Sequence, residues 1–132
     1  MAANLPAAVA PTVTGRVFSG EAGQVRAARR FLAGLLDGCP AADAALLCLS
    51  ELATNAVVHS RSGRPGGRFT VCVRARAGSV RVAVADEGGP WGQRRDCGGQ
   101  SGRGLLIVSE LAARWGREDS DAGRTVWFEI DW

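Results

Sequence analysis

The segment ELATNAVVH spaces three polar side chains four residues apart: Glu51, Asn55 and His59. On a helix this spacing makes a slanting stripe along one side. A carboxylate can accept a proton from a hydroxyl group, and an amide oxygen is a suitable ligand for Mg²⁺. Apolar residues lie between the three, so the stripe would border a buried face, as at the wall of a cleft. A solvent-facing polar edge without a role explains this helix equally well.

A second candidate group follows a predicted strand, at Asp86-Glu87-Gly88-Gly89-Pro90. A carboxylate at the end of a strand, followed by glycines, places a hydrogen-bond acceptor at the edge of the sheet beside flexible backbone. Such an acceptor could take a hydrogen bond from an exocyclic amine, as on adenine. An ordinary Asp-x-Gly turn has the same sequence, and for this segment alone the turn is the better explanation.

A third candidate is the glycine-rich segment that runs from Gly98 to Leu105 and opens a predicted helix. Glycines let the backbone approach a ligand closely, and the N–H groups at a helix N-terminus attract phosphate. Arg103 adds a permanent positive charge. The segment lacks the G-K-[ST] ending of a Walker A loop and does not follow a strand as a dinucleotide fingerprint does. Alone, it is equally a flexible loop with a glycine-rich helix start.

Composition excludes several classes of protein. The chain has 132 residues, which is about one domain, and no apolar run approaches the roughly 18 residues of a membrane helix. All 16 basic residues are arginine, the net charge is +3, and acidic residues interleave with the arginines. A nucleic-acid-binding protein usually has a concentrated basic stripe instead. We therefore expect a cytoplasmic protein that contacts neither nucleic acid nor membrane directly.

The four cysteines include no C-x-x-C pair, and His59 is the only histidine, so the usual spacing of a zinc site is missing. Cys48 and Cys72 lie in apolar runs, and we expect both to be small buried hydrophobic residues. Cys97 lies in a polar loop, where a reactive thiol is the alternative to a structural cysteine.

Hydrophobic periodicity predicts the elements that position these groups. We interpret residues 1–14 as a flexible leader and residues 15–132 as one domain. Strands are predicted at Val13–Ser19, Phe69–Ala75, Val80–Ala85, Trp115–Arg117 and Thr125–Ile130, helices at Gln24–Leu36, Ala41–His59 and Leu105–Ala113, and a mobile loop at Gly88–Ser101. This order predicts an α/β (α+β) fold, a two-layer sandwich in which a mixed, mostly antiparallel sheet has helices on one face.

The order of the motifs is more specific than any one of them. E-L-x-x-N-A-x-x-H, then D-x-G-G-P, then S-G-R-G-L-x-I-V, then a strand that opens with Arg-Thr-Val resembles the ATPase superfamily of gyrase, heat-shock chaperones, histidine kinases and mismatch-repair proteins. The small size, the short loop before Gly102 and the run LLIVSELAARWG look most like the stand-alone anti-sigma-factor serine kinases of bacteria. The resemblance covers roughly Val17 to Asp131. It implies the Bergerat ATP-binding fold, with ATP and Mg²⁺ as cofactors.

The resemblance also implies a role for each matching residue. Glu51 matches the general base that prepares the acceptor hydroxyl, and Asn55 matches the Mg²⁺ ligand. His59 stands where the family has a basic or polar residue near the phosphates. Asp86 matches the carboxylate that recognises adenine, with Gly88 giving the base room. The other implied nucleotide-binding residues are Gly102, Arg103, Gly104 and Leu105, which close on the phosphates, and Thr125, whose hydroxyl would lie behind the adenine.

The implied function is that of a serine/threonine protein kinase. Its partners would be a small anti-sigma-factor antagonist with an acceptor serine and a sigma factor that it sequesters, and the resemblance is consistent with a homodimer. The alternative is a non-catalytic module that binds ATP or ADP and changes its affinity for a partner. Glu51 favours the kinase, because a pure binding module needs no carboxylate there. The intact Asn55, Asp86 and Gly102–Gly104 argue against a third alternative, an interaction domain with a degenerate site.

Overall fold

A computed structural model describes residues 12–88 and 99–132, with the side chains of residues 13–88 and 105–132. These ranges form one five-stranded sheet and three α-helices. In chain order the elements are β1 (Thr12–Ser19), α1 (Gly23–Leu35), α2 (Ala42–His59), a 3₁₀ turn (Arg61–Gly63), β2 (Arg68–Arg76), β3 (Ser79–Asp86), α3 (Gly99–Leu111), β4 (Arg114–Ser120) and β5 (Gly123–Asp131).

The sheet has the strand order β1-β2-β3-β5-β4. Every described pair of neighbouring strands is antiparallel, where the sequence predicted a mixed sheet that was mostly antiparallel. The hairpins β2–β3 and β4–β5 account for two of these pairs, because short connections favour antiparallel neighbours. The predicted α+β two-layer fold is confirmed.

Buried and more exposed residues alternate along the central strands, and this alternation decides which face of the sheet is buried. β2, β3 and β5 each bury every second residue, as expected for strands with one face against a core. The registers align these residues across the sheet, so that Val73 pairs with Val82, which pairs with Phe128. Helix α2 covers this face with side chains such as Leu49 and Leu52. Each such side chain contributes about 1.5–3 kcal/mol when fully buried.

The helices differ in how much of their surface is buried. The exposed helix α1 buries Ala28 and Leu32, while α2 buries six residues against its neighbours. Among the helices that the described ranges contain, none is both long and apolar enough to cross a membrane.

The boundaries of β1 and α3 differ from the predictions. The predicted leader extended to residue 14, but residues 12–14 belong to β1 and pair with β2, Thr12 with Ala75 and Thr14 with Val73, in agreement with the strand predicted from Val13. Residues 1–11 lie outside the described residues. Helix α3 begins at Gly99, before the predicted start at Leu105. The prediction missed the first residues of the helix because the segment between Gly99 and Leu105 has no hydrophobic periodicity that could reveal a helix.

Two further predictions are revised by strand pairing and alternation. β4 is longer than Trp115–Arg117 because it pairs with β5 along its whole length. Cys48 is buried as predicted, but Cys72 is exposed, since Val71 and Val73 take the buried positions of its strand. Most of the predicted mobile loop, residues 89–98 with Cys97, lies outside the described residues.

A buried serine connects the end of α2 to the end of β3. The Ser62 hydroxyl donates to the carbonyl oxygen of Arg68 at 2.6 Å and accepts from the N–H of Glu87 at 2.9 Å. The Arg61 N–H donates to the Gly88 carbonyl oxygen at 2.6 Å, and the Arg68 N–H donates to the Glu87 carboxylate at 2.9 Å. The 3₁₀ turn therefore fixes the backbone that follows β3 beside the C-terminal end of α2.

Two glycines make this connection possible. A Cβ atom on Gly63 would lie 2.0 Å from the Val57 carbonyl oxygen, and one on Gly20 would lie 1.6 Å from the Ser62 carbonyl oxygen. No side chain fits at either position. The turn packs directly against the backbone of α2 and of the segment between β1 and α1.

Candidate functional site

The polar stripe of α2 borders the buried face of the helix. Glu51, Asn55 and His59 are each partly buried, and they lie next to the fully or nearly buried Leu52 and Ala56. Four residues of helix rise by about 6 Å, so Glu51 lies one turn before Asn55 along this edge. His59 is the last residue of α2. The stripe is therefore neither fully solvated nor part of the core, which suits side chains that meet a ligand.

Asp86 ends strand β3 and lies on the helix-covered face, in alternation with the buried Val82 and Val84. The Gly88 N–H donates to Oδ1 of Asp86 at 2.7 Å. Gly88 has a φ of 70°, in the left-handed region that favours glycine. This local turn holds one carboxylate oxygen and leaves the other for a ligand.

Burial raises the pKa of Asp86 above its ordinary value. The hydrogen bond from Gly88 and the charges of Arg124 and Arg117 lower the pKa, the charge of Asp119 raises it, and burial outweighs the rest. Asp86 is thus a partly desolvated carboxylate, and a hydrogen bond donated to it from a ligand is worth more than one made in water.

Asn55 and Asp86 line one small cavity between α2, α3 and the sheet. Four apolar side chains form its walls, and Arg117 completes it. The free volume is about 10 Å³, close to the room needed by one water molecule. A planar base can enter only if the walls separate. The apolar residues of the lining are Leu52, Val84, Leu105 and Val126.

Two arginines beside Asp86 were not predicted. Arg124 on β5 lies opposite Asp86 on β3 in the strand register, and only 5% of its surface is exposed. Its Nε donates to Oδ1 of Asp119 at 2.9 Å, and Nη2 of Arg117 lies 3.6 Å from Oδ2 of the same carboxylate. The alternation of β5 could have revealed Arg124, because Val126 lies two residues later and faces the core. Arg117 depends on the register of β4, which the sequence does not show.

Thr125 does not lie with Asp86 and the two arginines. It pairs with Ala85, and both lie on the sheet face opposite to that of Asp86 and Arg124. The residue of β5 that faces Asp86 is Arg124, so a hydroxyl behind the base would have to come from elsewhere.

The glycine-rich motif Gly102-Arg103-Gly104 lies inside α3 rather than before it. Helix α3 begins at Gly99, so Gly102 is its fourth residue and Arg103 and Gly104 follow within the second turn. The first four N–H groups of a helix have no partner within it, which places the phosphate-attracting end of α3 at residues 99–102. Leu105 lines the cavity that holds Asn55 and Asp86.

The side chains at this site have the chemical groups that bind magnesium and a nucleotide. Mg²⁺ prefers oxygen ligands and usually combines one or two protein oxygens with waters and substrate phosphates. Asn55 offers an amide oxygen, and Glu51 offers a carboxylate one helical turn away. No cluster of three or more histidine, cysteine or acidic residues occurs in the ranges that the structure describes.

A larger groove of about 930 Å³ lies where β1, α1 and the 3₁₀ turn meet. Its lining includes Glu21, Val57, Arg64 and Arg68, and none of the predicted site residues. On α2, Val57 faces away from Asn55, at about 160° around the helix axis. Volume alone thus favours this groove, but we assign the candidate site to the smaller cavity because the convergent polar groups lie there.

The comparison with known families agrees with this geometry. The family model described as a histidine kinase-like ATPase domain matches residues 18–130, most of the chain. No individual curated protein matches the sequence. The match covers residues of α2, β3, α3, β4 and β5, and so includes every element that lines the cavity.

Proposed function

Because the chain belongs to the histidine kinase-like ATPase domain family, an ATP-binding family, we propose that it is a protein kinase that transfers the γ-phosphoryl group of Mg·ATP to a serine or threonine of a partner protein. The observation that carries the proposal is the cavity in which Asn55 and Asp86 meet between apolar walls. Glu51 lies one helical turn from Asn55, on the same edge of α2.

Each part of the nucleotide has a group of matching chemistry. The adenine amine donates to the Asp86 carboxylate, and the ring packs against apolar walls such as Leu52 and Val126. The phosphates extend past Asn55, whose amide oxygen would hold Mg²⁺, and toward the N-terminal end of α3. When bound, Mg²⁺ neutralises charge on the phosphate oxygens.

Phosphoryl transfer needs positioning and charge neutralisation more than covalent chemistry by the protein. Glu51 accepts the proton of the acceptor hydroxyl while that oxygen forms a bond to the γ-phosphorus. The bond between the γ-phosphorus and its bridging oxygen breaks, and ADP leaves. General-base catalysis of this kind contributes typically about 10²–10⁴-fold.

The proposed acceptor is a serine on a small antagonist of an anti-sigma factor. In this proposal the unphosphorylated antagonist prevents the chain from sequestering a sigma factor, and phosphorylation restores sequestration. The support is the sequence resemblance, above all the run LLIVSELAARWG, together with the small size of the domain.

A nucleotide-sensing module without catalysis is the second candidate. The observation in its favour is that Glu51 does not line the cavity with Asn55 and Asp86. Such a module would bind ATP or ADP and change its affinity for a partner, and its Glu51 would have no chemical role.

One experiment separates the two candidates. The wild type, Glu51→Gln and the control Glu110→Gln, which alters an exposed glutamate of α3, are each incubated with γ-labelled Mg·ATP and a bacterial protein extract. The kinase proposal predicts labelled serine or threonine with the wild type and the control, and at least about 100-fold less with Glu51→Gln. All three should bind ATP within about threefold of one another. If all three bind ATP and none transfers label, the protein is a sensor.

A further inference from the structure

The cavity at Asp86 holds two charged groups with opposite hydrogen-bonding properties. An ionised carboxylate such as Asp86 only accepts hydrogen bonds, and a guanidinium such as Arg117 only donates them. Both line the same small space, with apolar walls around them. A ligand that satisfies both must present a donor and an acceptor close together.

We infer that Arg117 is a second base-recognising residue, which donates a hydrogen bond to a ring nitrogen of the adenine whose amine is held by Asp86. The inference rests on the proposed nucleotide site and adds a residue that the sequence motifs do not contain. Adenine has the required pattern, because its amine donor lies beside the ring acceptors N1 and N7.

The fold places Arg117 for this role. Arg117 pairs with Val126 across β4 and β5, and Val126 lines the same cavity. The Asp119 carboxylate lies 3.6 Å from Nη2 of Arg117 and is itself held by Nε of Arg124 at 2.9 Å. This ion pair restrains the guanidinium while most of its five N–H donors stay available to a ligand.

The surroundings make such a hydrogen bond matter. A ring nitrogen pressed between Leu52, Val84 and Leu105 without a donor would lose its contact with water and gain nothing in return. With Arg117 the base end of the cavity satisfies both polar edges of adenine. A base that carries oxygen in place of the amine, as in inosine, would instead direct an acceptor at the Asp86 carboxylate.

A role of Arg117 in charge balance alone is the competing explanation. Arg117 lowers the pKa of Asp86 in the folded protein, so its loss could weaken nucleotide binding without any contact to the base. Replacement of a single ring nitrogen of adenine by C–H distinguishes the two roles. It removes one hydrogen-bond acceptor, and charge balance does not depend on a particular ring nitrogen.

The test measures dissociation constants by isothermal titration calorimetry for ATP, 1-deaza-ATP, 7-deaza-ATP and ITP, all with Mg²⁺. The proteins are the wild type, Arg117→Ala, Arg117→Lys and the control Arg74→Ala. Arg74 is exposed on the open face of the sheet, away from the cavity, and its removal changes the net charge by the same amount. Circular dichroism confirms that each variant is folded.

For the wild type and Arg74→Ala we expect one of the two deaza nucleotides to bind at least about tenfold more weakly than ATP, which is about 1.4 kcal/mol. In Arg117→Ala, ATP itself should bind about tenfold more weakly, and the same deaza nucleotide should bind within about twofold of ATP. Arg117→Lys should keep part of the ATP affinity, because an ammonium is a single point donor without the planar fork. ITP should bind weakly to every protein.

The inference is overturned if the wild type binds ATP and Arg117→Ala leaves the ratios between ATP and both deaza nucleotides unchanged. In that case Arg117 makes no hydrogen bond to the base, and the nucleotide site itself stands. If the wild type binds none of the nucleotides, the proposed function fails, and the inference fails with it.

Discussion

Asp86→Asn tests the base end of the site with the smallest change in shape. An asparagine keeps the Oδ1 atom that accepts the N–H of Gly88 at 2.7 Å, so the turn after β3 should persist. The second oxygen becomes an amide NH₂ group, which is a donor. A donor now meets the donor of the adenine amine, and the charge-assisted hydrogen bond is lost.

The expected cost follows from the environment of the carboxylate. A hydrogen bond to a charged group is worth about 1.5–3 kcal/mol, so ATP should bind roughly 10- to 150-fold more weakly. At 100 times the wild-type dissociation constant, ATP stabilises the wild type by about 2.7 kcal/mol. With affinity reduced about 30-fold, the same concentration stabilises Asp86→Asn by only about 0.9 kcal/mol.

Thermal unfolding with and without Mg·ATP measures this difference. Mg·ATP should raise the unfolding temperature of the wild type by several degrees, and that of Asp86→Asn by about a third as much. The matched control is Asp37→Asn, an exposed change in the connection between α1 and α2 that should shift like the wild type. Equal shifts in all three proteins would show that Asp86 does not bind the nucleotide, and the reasoning would be refuted.

Further predictions concern stability and the metal. Because the pKa of Asp86 is raised in the folded protein, its ionised form costs stability; the cost is absent below the ordinary value of 3.8 and develops as pH rises through the raised pKa. Without nucleotide, Asp86→Asn should therefore gain stability relative to the wild type as pH rises to neutral, measured by denaturant unfolding. Asn55→Ala should weaken ATP binding at least about tenfold with Mg²⁺, but only slightly in EDTA; equal losses would contradict a metal role. Gly20→Ala should destabilise by about 1–3 kcal/mol, because its Cβ would overlap the Ser62 carbonyl oxygen. Gly34 lies in α1, where an added Cβ would meet nothing within 4 Å, so Gly34→Ala should instead stabilise the protein by about 0.5 kcal/mol. Urea titration measures the stability of both variants, and equal effects would contradict the close packing at Gly20.

The sequence predicts the central elements well because their residues repeat with a clear period. Alternation identifies the buried faces of β2, β3 and β5, and helical spacing identifies α2. The same reasoning places Asp86 at a strand end and Glu51 and Asn55 on one edge of a helix. These local features need no knowledge of how the strands are ordered.

The rest depends on contacts between distant segments. Arg117 and Asp86 meet only because β5 lies between β3 and β4 in the sheet, and strand order is not visible in local periodicity. Ser62 looks like a residue of an ordinary polar turn, yet it is buried and fastens the end of β3. Apolar neighbours suggested burial of Cys72, but the side of the strand on which a residue lies decides its exposure.

Nuclear magnetic resonance of the amide groups during titration with Mg²⁺ and a non-hydrolysable ATP analogue tests the central claim most directly. The largest shift changes should fall at Asn55, Asp86 and Gly88, and on the cavity-lining residues of β5 and α3. Changes confined to Gly63–Arg68, which line the larger groove, would place the nucleotide elsewhere. No change at saturating analogue would contradict the claim that this chain binds ATP.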